Sequence, residues 1–242
     1  MSQENVTTWS GVDLAKPREV LARALELHHP RIALASSFSL EDAVVLDLLM
    51  DIRKDARVFA LDTGRLNPET YECAEDLRRR YGVTIEWYFP RHEAVESLER
   101  GKGLFSFRES VENRKECCGI RKVEPLNRAL SGLEAWITGL RREQSVTRTE
   151  LAVVEKDASH GGIWKINPLA AWTLHDLWEY ARAKRIPYNR LYDQGYTSIG
   201  GAPCTRAIEP GEDQRAGRWW WENPESKECG LHLNMRSWNP TI

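Results

Sequence analysis

The sequence predicts an α/β domain built on an open, mostly parallel sheet with helices on both faces. Three observations carry this. Short apolar runs at 31–36, 57–61, 83–88 and 134–139 have the length and residue types of buried strands. Helical patterns lie between them, and strand–helix alternation with near-continuous apolar strands requires a sheet covered on both sides. Two of the runs end in polar turns, Ser36-Ser37-Phe38-Ser39 and Asp62-Thr63-Gly64. In open sheets, ligands bind where such loops converge at the carboxyl ends of strands.

The elements follow in order. Residues 17–29 read as an amphipathic helix with Pro17 in its first turn. The strand at 31–36 leads through S-F-S-L-E-D into an apolar helix. Ser39 suits its N-cap, with Asp42 at the third helical position closing a capping box. The strand at 57–61 is followed by a helix from Pro68 to about Tyr81, capped by Asn67. The strand at 83–88 comes next, and the one at 134–139 ends at Gly139 before Leu140-Arg141-Arg142. Thr173 to Lys184 is a helix whose T-x-x-D start is a capping-box variant. From Ile186 onward Gly and Pro are frequent and periodicity is lost, so this stretch is a long, functional tail. The expected division is an α/β domain over 1–210 and a tail over 211–242 that carries Cys229. No internal repeat or low-complexity tract is present.

Composition narrows the function classes. The chain has 242 residues and a net charge of -2, which argues against non-specific nucleic-acid binding. Local basic runs such as Arg78-Arg79-Arg80 and Arg141-Arg142 still allow a small anionic ligand. No apolar run is long enough to span a bilayer. The start, M-S-Q-E-N-V-T-T-W-S, lacks the features of a signal peptide. The expectation is a cytoplasmic protein, where thiols stay reduced and serve metals or catalysis.

Five cysteines are the chemical signal. Cys117 and Cys118 are adjacent, Cys204 sits in G-G-A-P-C-T-R, Cys229 stands in E-C-G-L-H, and Cys73 lies in the helix after Pro68. This spacing suits an iron–sulfur site plus a separate nucleophile better than a disulfide framework. Four thiolates are the usual cluster ligand set. Gly201 stands where a C-x-x-C pair with Cys204 would need its first thiolate. Zinc is the rival metal, and Cys229 with His232 forms a C-x-x-H pair that could serve it, at the expense of the nucleophile. Cys73 reads as a core residue.

The turn S-S-F-S offers three hydroxyls and the free N–H groups of a helix start, which together make an anion site. A simple capped strand-to-helix turn accounts for the same residues. The glycine pattern of a Walker or dinucleotide loop is absent.

The ordered series S-F-S-x-E-D, L-D-T-G, C-C-x-I-R-K-V-E-P-L, G-x-R-R-x-Q-S, P-C-T-R and E-C-G-L-H resembles the assimilatory sulfonucleotide reductases. The resemblance runs from about Ala33 to His232. It implies an adenine-nucleotide α-hydrolase-like fold and reduction of adenosine 5′-phosphosulfate (APS), or its 3′-phosphorylated form (PAPS), to sulfite and the nucleotide. In that reading Cys229 attacks the sulfur and becomes an S-sulfocysteine, and thioredoxin or a glutaredoxin-like thiol releases sulfite. Ser36, Ser37, Phe38, Ser39, Glu41, Asp62, Thr63, Gly64, Gly139 and His232 fall at the substrate, with Lys122, Arg141, Arg142, Arg148, Arg215 and Arg218 as its cations. Cys117, Cys118 and Cys204 match ligands of a 4Fe-4S cluster in the subfamily that mostly uses APS. With Gly201 at the fourth position, the implied outcomes are an open or water-bound iron, a 3Fe-4S form, or no stable cluster. A PAPS reductase losing its cluster cysteines is the nearest alternative, and the intact C-C pair argues against it. An ATP pyrophosphatase would want glycines in S-S-F-S, and a sensor would have no use for E-C-G-L-H. Trp219-Trp220-Trp221 reads as ordinary packing. A homo-oligomer is compatible with the sequence.

Overall fold

The computed structural model describes residues 8–145 and 148–223. Its centre is a six-stranded sheet in the order β3-β2-β1-β4-β6-β5. The strands are β1 (Ile32–Ser36), β2 (Arg57–Leu61), β3 (Ile85–Tyr88), β4 (Ala135–Ile137), β5 (Val154–Asp157) and β6 (Ile163–Ile166). All neighbours pair in parallel except β5 with β6. The helices are α1 (Pro17–His28), α2 (Leu40–Ile52), α3 (Pro68–Tyr81), α4 (His92–Lys102), α5 (Val111–Cys118), α6 (Glu124–Leu130) and α7 (Leu174–Lys184).

Residue alternation assigns the two faces. Ile32 and Leu34 of β1, with Ala135 and Ile137 of β4, join the larger core under α1, α2 and α7. Ala33 and Trp136, one residue out of step, join Phe59 and the α6 residues Leu126, Ala129 and Leu130 on the other face. The period-two pattern of a strand covered on both sides produces this split. Helix α2 is apolar nearly all round because α1, α3 and α7 all pack on it.

The chain runs β1, β2, β3 in one direction, then crosses to place β4 on the far side of β1. That reversal opens a crevice between the carboxyl ends of β1 and β4, the position where doubly wound folds bind ligands.

The four expected strands and the helices at 17–28, 68–81 and 174–184 are present, with strand ends trimmed by a few residues. The Thr173–Asp176 capping box closes in both directions. Asn67 departs from expectation. Its side chain makes no cap bond and donates through Nδ2 to the Gly200 carbonyl at 3.1 Å, tying α3 to the C-terminal stretch. The β5–β6 hairpin, with Gly161 and Gly162 both at positive φ in its turn, was not expected from the sequence. Its strands are four residues long and carry Glu155, Lys156 and Lys165, which hides the apolar signal. Between residues 186 and 223 the chain forms short turns, Arg190–Gln194 and Ala202–Cys204, and a bridge between Thr205 and Arg218. Among the described residues no helix is long and apolar enough to cross a membrane.

Candidate active site

A cavity of about 230 Å³ opens at the carboxyl ends of β1, β2 and β4. The loop after β1 forms its floor. Ser36 Oγ accepts the Phe38 N–H at 3.2 Å, and Phe38 sits buried at φ +59°, the left-handed conformation that usually falls to glycine. A bulky residue held there is local strain of the kind concentrated at ligand sites. The loop makes this left-handed turn without a glycine. Ser39 caps α2 by accepting the Asp42 N–H at 3.3 Å. The return bond of the expected capping box is replaced. The Asp42 carboxylate instead accepts from the Ser37 N–H at 2.6 Å and the Ser37 hydroxyl at 2.8 Å, latching the loop onto the helix. Burial pushes the Asp42 carboxyl up to about 6, against the lowering effect of the Ser37 bonds.

The second wall is the end of β4. A β-carbon on Gly139 would lie 2.4 Å from Asp42 Oδ1 and 2.8 Å from Glu41 Cβ, so only glycine fits. Arg141 follows, fully buried, with Nε donating to Glu41 Oε1 at 3.0 Å and Nη1 to Glu143 Oε2 at 3.0 Å. Arg141 lines the cavity but its charge is matched by Glu41. Arg142 points elsewhere, donating to the Leu151 carbonyl at 2.8 Å, and does not line the cavity.

The turn after β2 forms the third wall. Asp62 Oδ1 accepts the Gly64 N–H at 2.7 Å and Oδ2 accepts the Tyr71 hydroxyl at 2.9 Å, so this carboxylate shapes the turn. Thr63 lines the cavity, while Asp62 and Gly64 stand behind it. Gly64 has φ +70°, and its missing β-carbon would lie 3.4 Å from Arg121 Nη1.

Lys122 enters from one turn of π-helix at Gly119–Val123, inserted between α5 and α6. Such bulges rotate side chains out of the helical register and recur at functional sites. Among the described residues Lys122 has no ion pair, in contrast to Arg141. The roof comes from the C-terminal stretch, Thr197 to Gly201 and Gln214 to Arg218, which brings Arg215 and Arg218 over the cavity beside Arg148. Arg218 Nη1 donates to the Ile199 carbonyl at 3.0 Å.

Cys117, Cys118 and Cys204 meet beside this cavity. Cys204 packs against both the Cys117 and the Cys118 clusters, together with Trp219 and Trp221. Burial raises the Cys117 thiol, opposed by the guanidinium groups of Arg121 and Arg65 and by Lys122. Arg114 bonds to Cys118 and to Glu222. Among the described residues no trio of His, Cys, Asp or Glu forms a site for a single metal ion. A multi-iron cluster spreads its thiolates over separate irons and asks for wider spacing. The donor chemistry agrees with such a cluster at three corners. Three thiols converge amid four cations, and among the described residues the buried Nε1–H groups of Trp219 and Trp221 and Nε–H of Arg121 have no acceptor. Among the described residues the fourth corner has no donor at position 201, which is glycine. A β-carbon at Gly201 would lie 3.1 Å from the Arg65 carbonyl and 3.9 Å from Thr63 Oγ1, facing the β2 turn. Cys73 is a core thiol under the Phe38 carbonyl, pushed up to about 12 by burial. Cys229 and His232 lie outside the described residues.

The cavity thus gathers Ser36, Ser37, Phe38, Ser39, Glu41, Thr63, Lys122, Gly139, Arg141, Arg148, Arg215 and Arg218. It adds Gln144 of the G-x-R-R-x-Q-S motif, and Tyr192, Thr138 and Thr70, which carry no motif in the sequence and reach the cavity only through the fold.

A cationic, hydroxyl-rich crevice at the switch point of a parallel sheet defines a nucleotide-binding α/β protein. Residues 31–207 match the phosphoadenosine phosphosulfate reductase domain, and the chain belongs to that family. It is 55% identical over 201 residues to adenosine 5′-phosphosulfate reductase of Allochromatium vinosum, covering 83% of this chain and 78% of that one. The crystal structure of phosphoadenylyl-sulfate reductase from Candida auris, a phosphate complex, superposes with a TM-score of 0.70 at 31% identity, covering 86% of this chain and 98% of that one. The fold extends to FMN adenylyltransferase of Candida glabrata, with a TM-score of 0.57 at 16% identity over 89% of this chain and 71% of that one.

Asp42 gives the site a pH signature. Its folded pKa of about 6 lies above the ordinary 3.8. Protonation therefore favours the folded state, and that contribution, present below about 4, is lost as pH rises through about 6. Asp42→Asn keeps an acceptor for Ser37 without a charge. Its stability relative to the parent protein should improve between pH 4 and 7 by about 2–3 kcal/mol and level off above that. Urea unfolding at several pH values measures the difference; a constant offset would refute the assignment.

Proposed function

We propose that this chain reduces adenosine 5′-phosphosulfate to sulfite and AMP in assimilatory sulfate reduction. The observation that carries this reading is one cavity that joins a serine-lined anion loop to Lys122, Arg148, Arg215 and Arg218, with a packed trio of cysteines on the segments that carry Lys122 and Gly201. The substrate is an adenylate bearing adjacent phosphate and sulfate groups, so it needs several cations and hydroxyl donors. Each charge-assisted hydrogen bond contributes roughly 1.5–3 kcal/mol. Relatives named adenosine 5′-phosphosulfate reductase support the choice of nucleotide.

Cys229 is the nucleophile in this reading. Its thiolate attacks the sulfur of the sulfate group, a sulfur–sulfur bond forms, and the bond from sulfur to the bridging oxygen breaks. AMP leaves with that electron pair, its charge met by Lys122 and the arginines. A second thiol, from thioredoxin or a glutaredoxin-like donor, then attacks Cys229 Sγ and displaces sulfite. The resulting mixed disulfide is resolved by the donor's other thiol. His232, three residues beyond the nucleophile, belongs to the same motif. A cytoplasmic setting would keep these thiols reduced.

Cys117, Cys118 and Cys204 would hold an iron–sulfur cluster at three corners. Bound there, it would supply iron–sulfide charge next to the substrate cations and crosslink the two cysteine segments. The protein residues around it orient Lys122 through the π-turn and Arg218 through the Thr205 bridge.

Competition between APS and PAPS for sulfite formation by the purified protein tests the substrate. APS should be strongly preferred, and a clear preference for PAPS would overturn the proposal. Cluster content is tested by metal analysis of anaerobically prepared protein. Gly201→Cys should raise iron and sulfide toward about four each per chain and slow bleaching in air. A parent protein already holding as much, as firmly, would mean that another group supplies the fourth ligand.

A further inference from the structure

Tyr192 lies in the turn Arg190–Gln194, far in sequence from the anion loop. Its ring is fixed edge-on against Trp178, with centroids 5.7 Å apart. The hydroxyl reaches across to the start of α2, where it accepts the Leu40 N–H at 3.1 Å. Leu40 is the first residue of that helix, directly after Ser39 of the anion loop. Tyr192 lines the cavity.

That bond uses a lone pair of the phenol and leaves its proton to be donated. Among the described residues no oxygen accepts it, and Tyr192 has no other bonding partner. Hydroxyl donors at buried positions are rarely left without an acceptor. Burial, and the nearby carboxylates of Glu41 and Asp42, push the phenol well above its ordinary value, so it keeps its proton throughout the neutral range. A neutral donor suits this place. It offers hydrogen-bonding without adding a charge beside Glu41.

We propose that Tyr192 is a substrate-binding residue whose O–H donates to the phosphate of the bound adenylate. This rests on the adenylate reading of the cavity and adds a residue to it. The phenol relays the polarity of the helix start. Leu40 N–H polarises the hydroxyl, and the hydroxyl presents the proton to the anion. The loop N–H of Ser37 is spent on Asp42, and that of Phe38 on Ser36, so the phenol adds a donor that these two amides do not supply.

The test compares AMP with adenosine, which differ only by the phosphate, by titration calorimetry. The parent protein should bind AMP more tightly than adenosine. If it binds neither, the adenylate reading itself fails, and this proposal with it. Tyr192→Phe should weaken AMP binding about 10-fold or more, the worth of a hydrogen bond to a charged group, and alter adenosine binding less than about 2-fold. Equal weakening of both ligands would show a structural role and overturn the proposal, as would unchanged AMP binding. Replacement of Tyr192 by 3-fluorotyrosine covers the case in which the phenylalanine variant fails to fold. It keeps the shape and both bonds with a stronger donor. AMP should then bind more tightly with adenosine unchanged, and no change for AMP would equally overturn the assignment.

Discussion

Gly139 stands against Asp42 and Glu41 with no room for a β-carbon, and the whole site depends on that contact. The end of β4 can approach the start of α2 only because residue 139 has no side chain. The approach brings Arg141 onto Glu41 and closes the switch-point crevice from one side. From the other side Asp42 holds the anion loop through Ser37. Two carboxylates on neighbouring residues therefore do opposite work. Glu41 is neutralised by a buried arginine, while Asp42 is desolvated and balanced by hydroxyl and amide donors. Removing one partner of a buried pair such as Glu41–Arg141 is strongly destabilising, because it leaves an uncompensated charge.

The same accounting separates the cations. Arg141 is held by Glu41 and Glu143, and Arg121 by Glu99 and the Thr63 carbonyl. These two build walls. Lys122 is carried into the cavity by a π-turn, and Arg148, Arg215 and Arg218 arrive on loops. Lys122 makes no ion pair among the described residues, so its charge is available to an anion entering the cavity. The paired cations set the shape that anion meets.

Much of this was legible in the sequence. The four central strands and the helices with proline or capping-box starts follow from pattern, because local chemistry and burial agree there. Residues of S-S-F-S, Thr63 of L-D-T-G and Lys122, four residues after the C-C pair, line one crevice, while the two cysteines pack with Cys204 outside its lining. What was not legible has physical reasons. The β5–β6 hairpin is too short and too charged to show a period. Asp42 and Asn67 have the residue types of helix-start caps, yet their side chains find partners across a loop and a crevice that spacing does not reveal. Arg141 and Arg142 look equivalent as neighbours. The fold buries one against Glu41 and turns the other to the Leu151 carbonyl. Tyr192 carries no motif, and only the tertiary approach of its turn to α2 gives it a place in the site.

The central claim is sulfur transfer through one thiol, and mass spectrometry after exposure to APS tests it most directly. The protein is incubated with APS without any reductant, digested, and its cysteine peptides are weighed. The account predicts one added sulfonate on the peptide holding Cys229, and neither sulfonate nor sulfite release with Cys229→Ser, since a hydroxyl is a far poorer nucleophile at neutral pH. Sulfonate on Cys117, Cys118 or Cys204, or a serine variant that still releases sulfite at a similar rate, would contradict it.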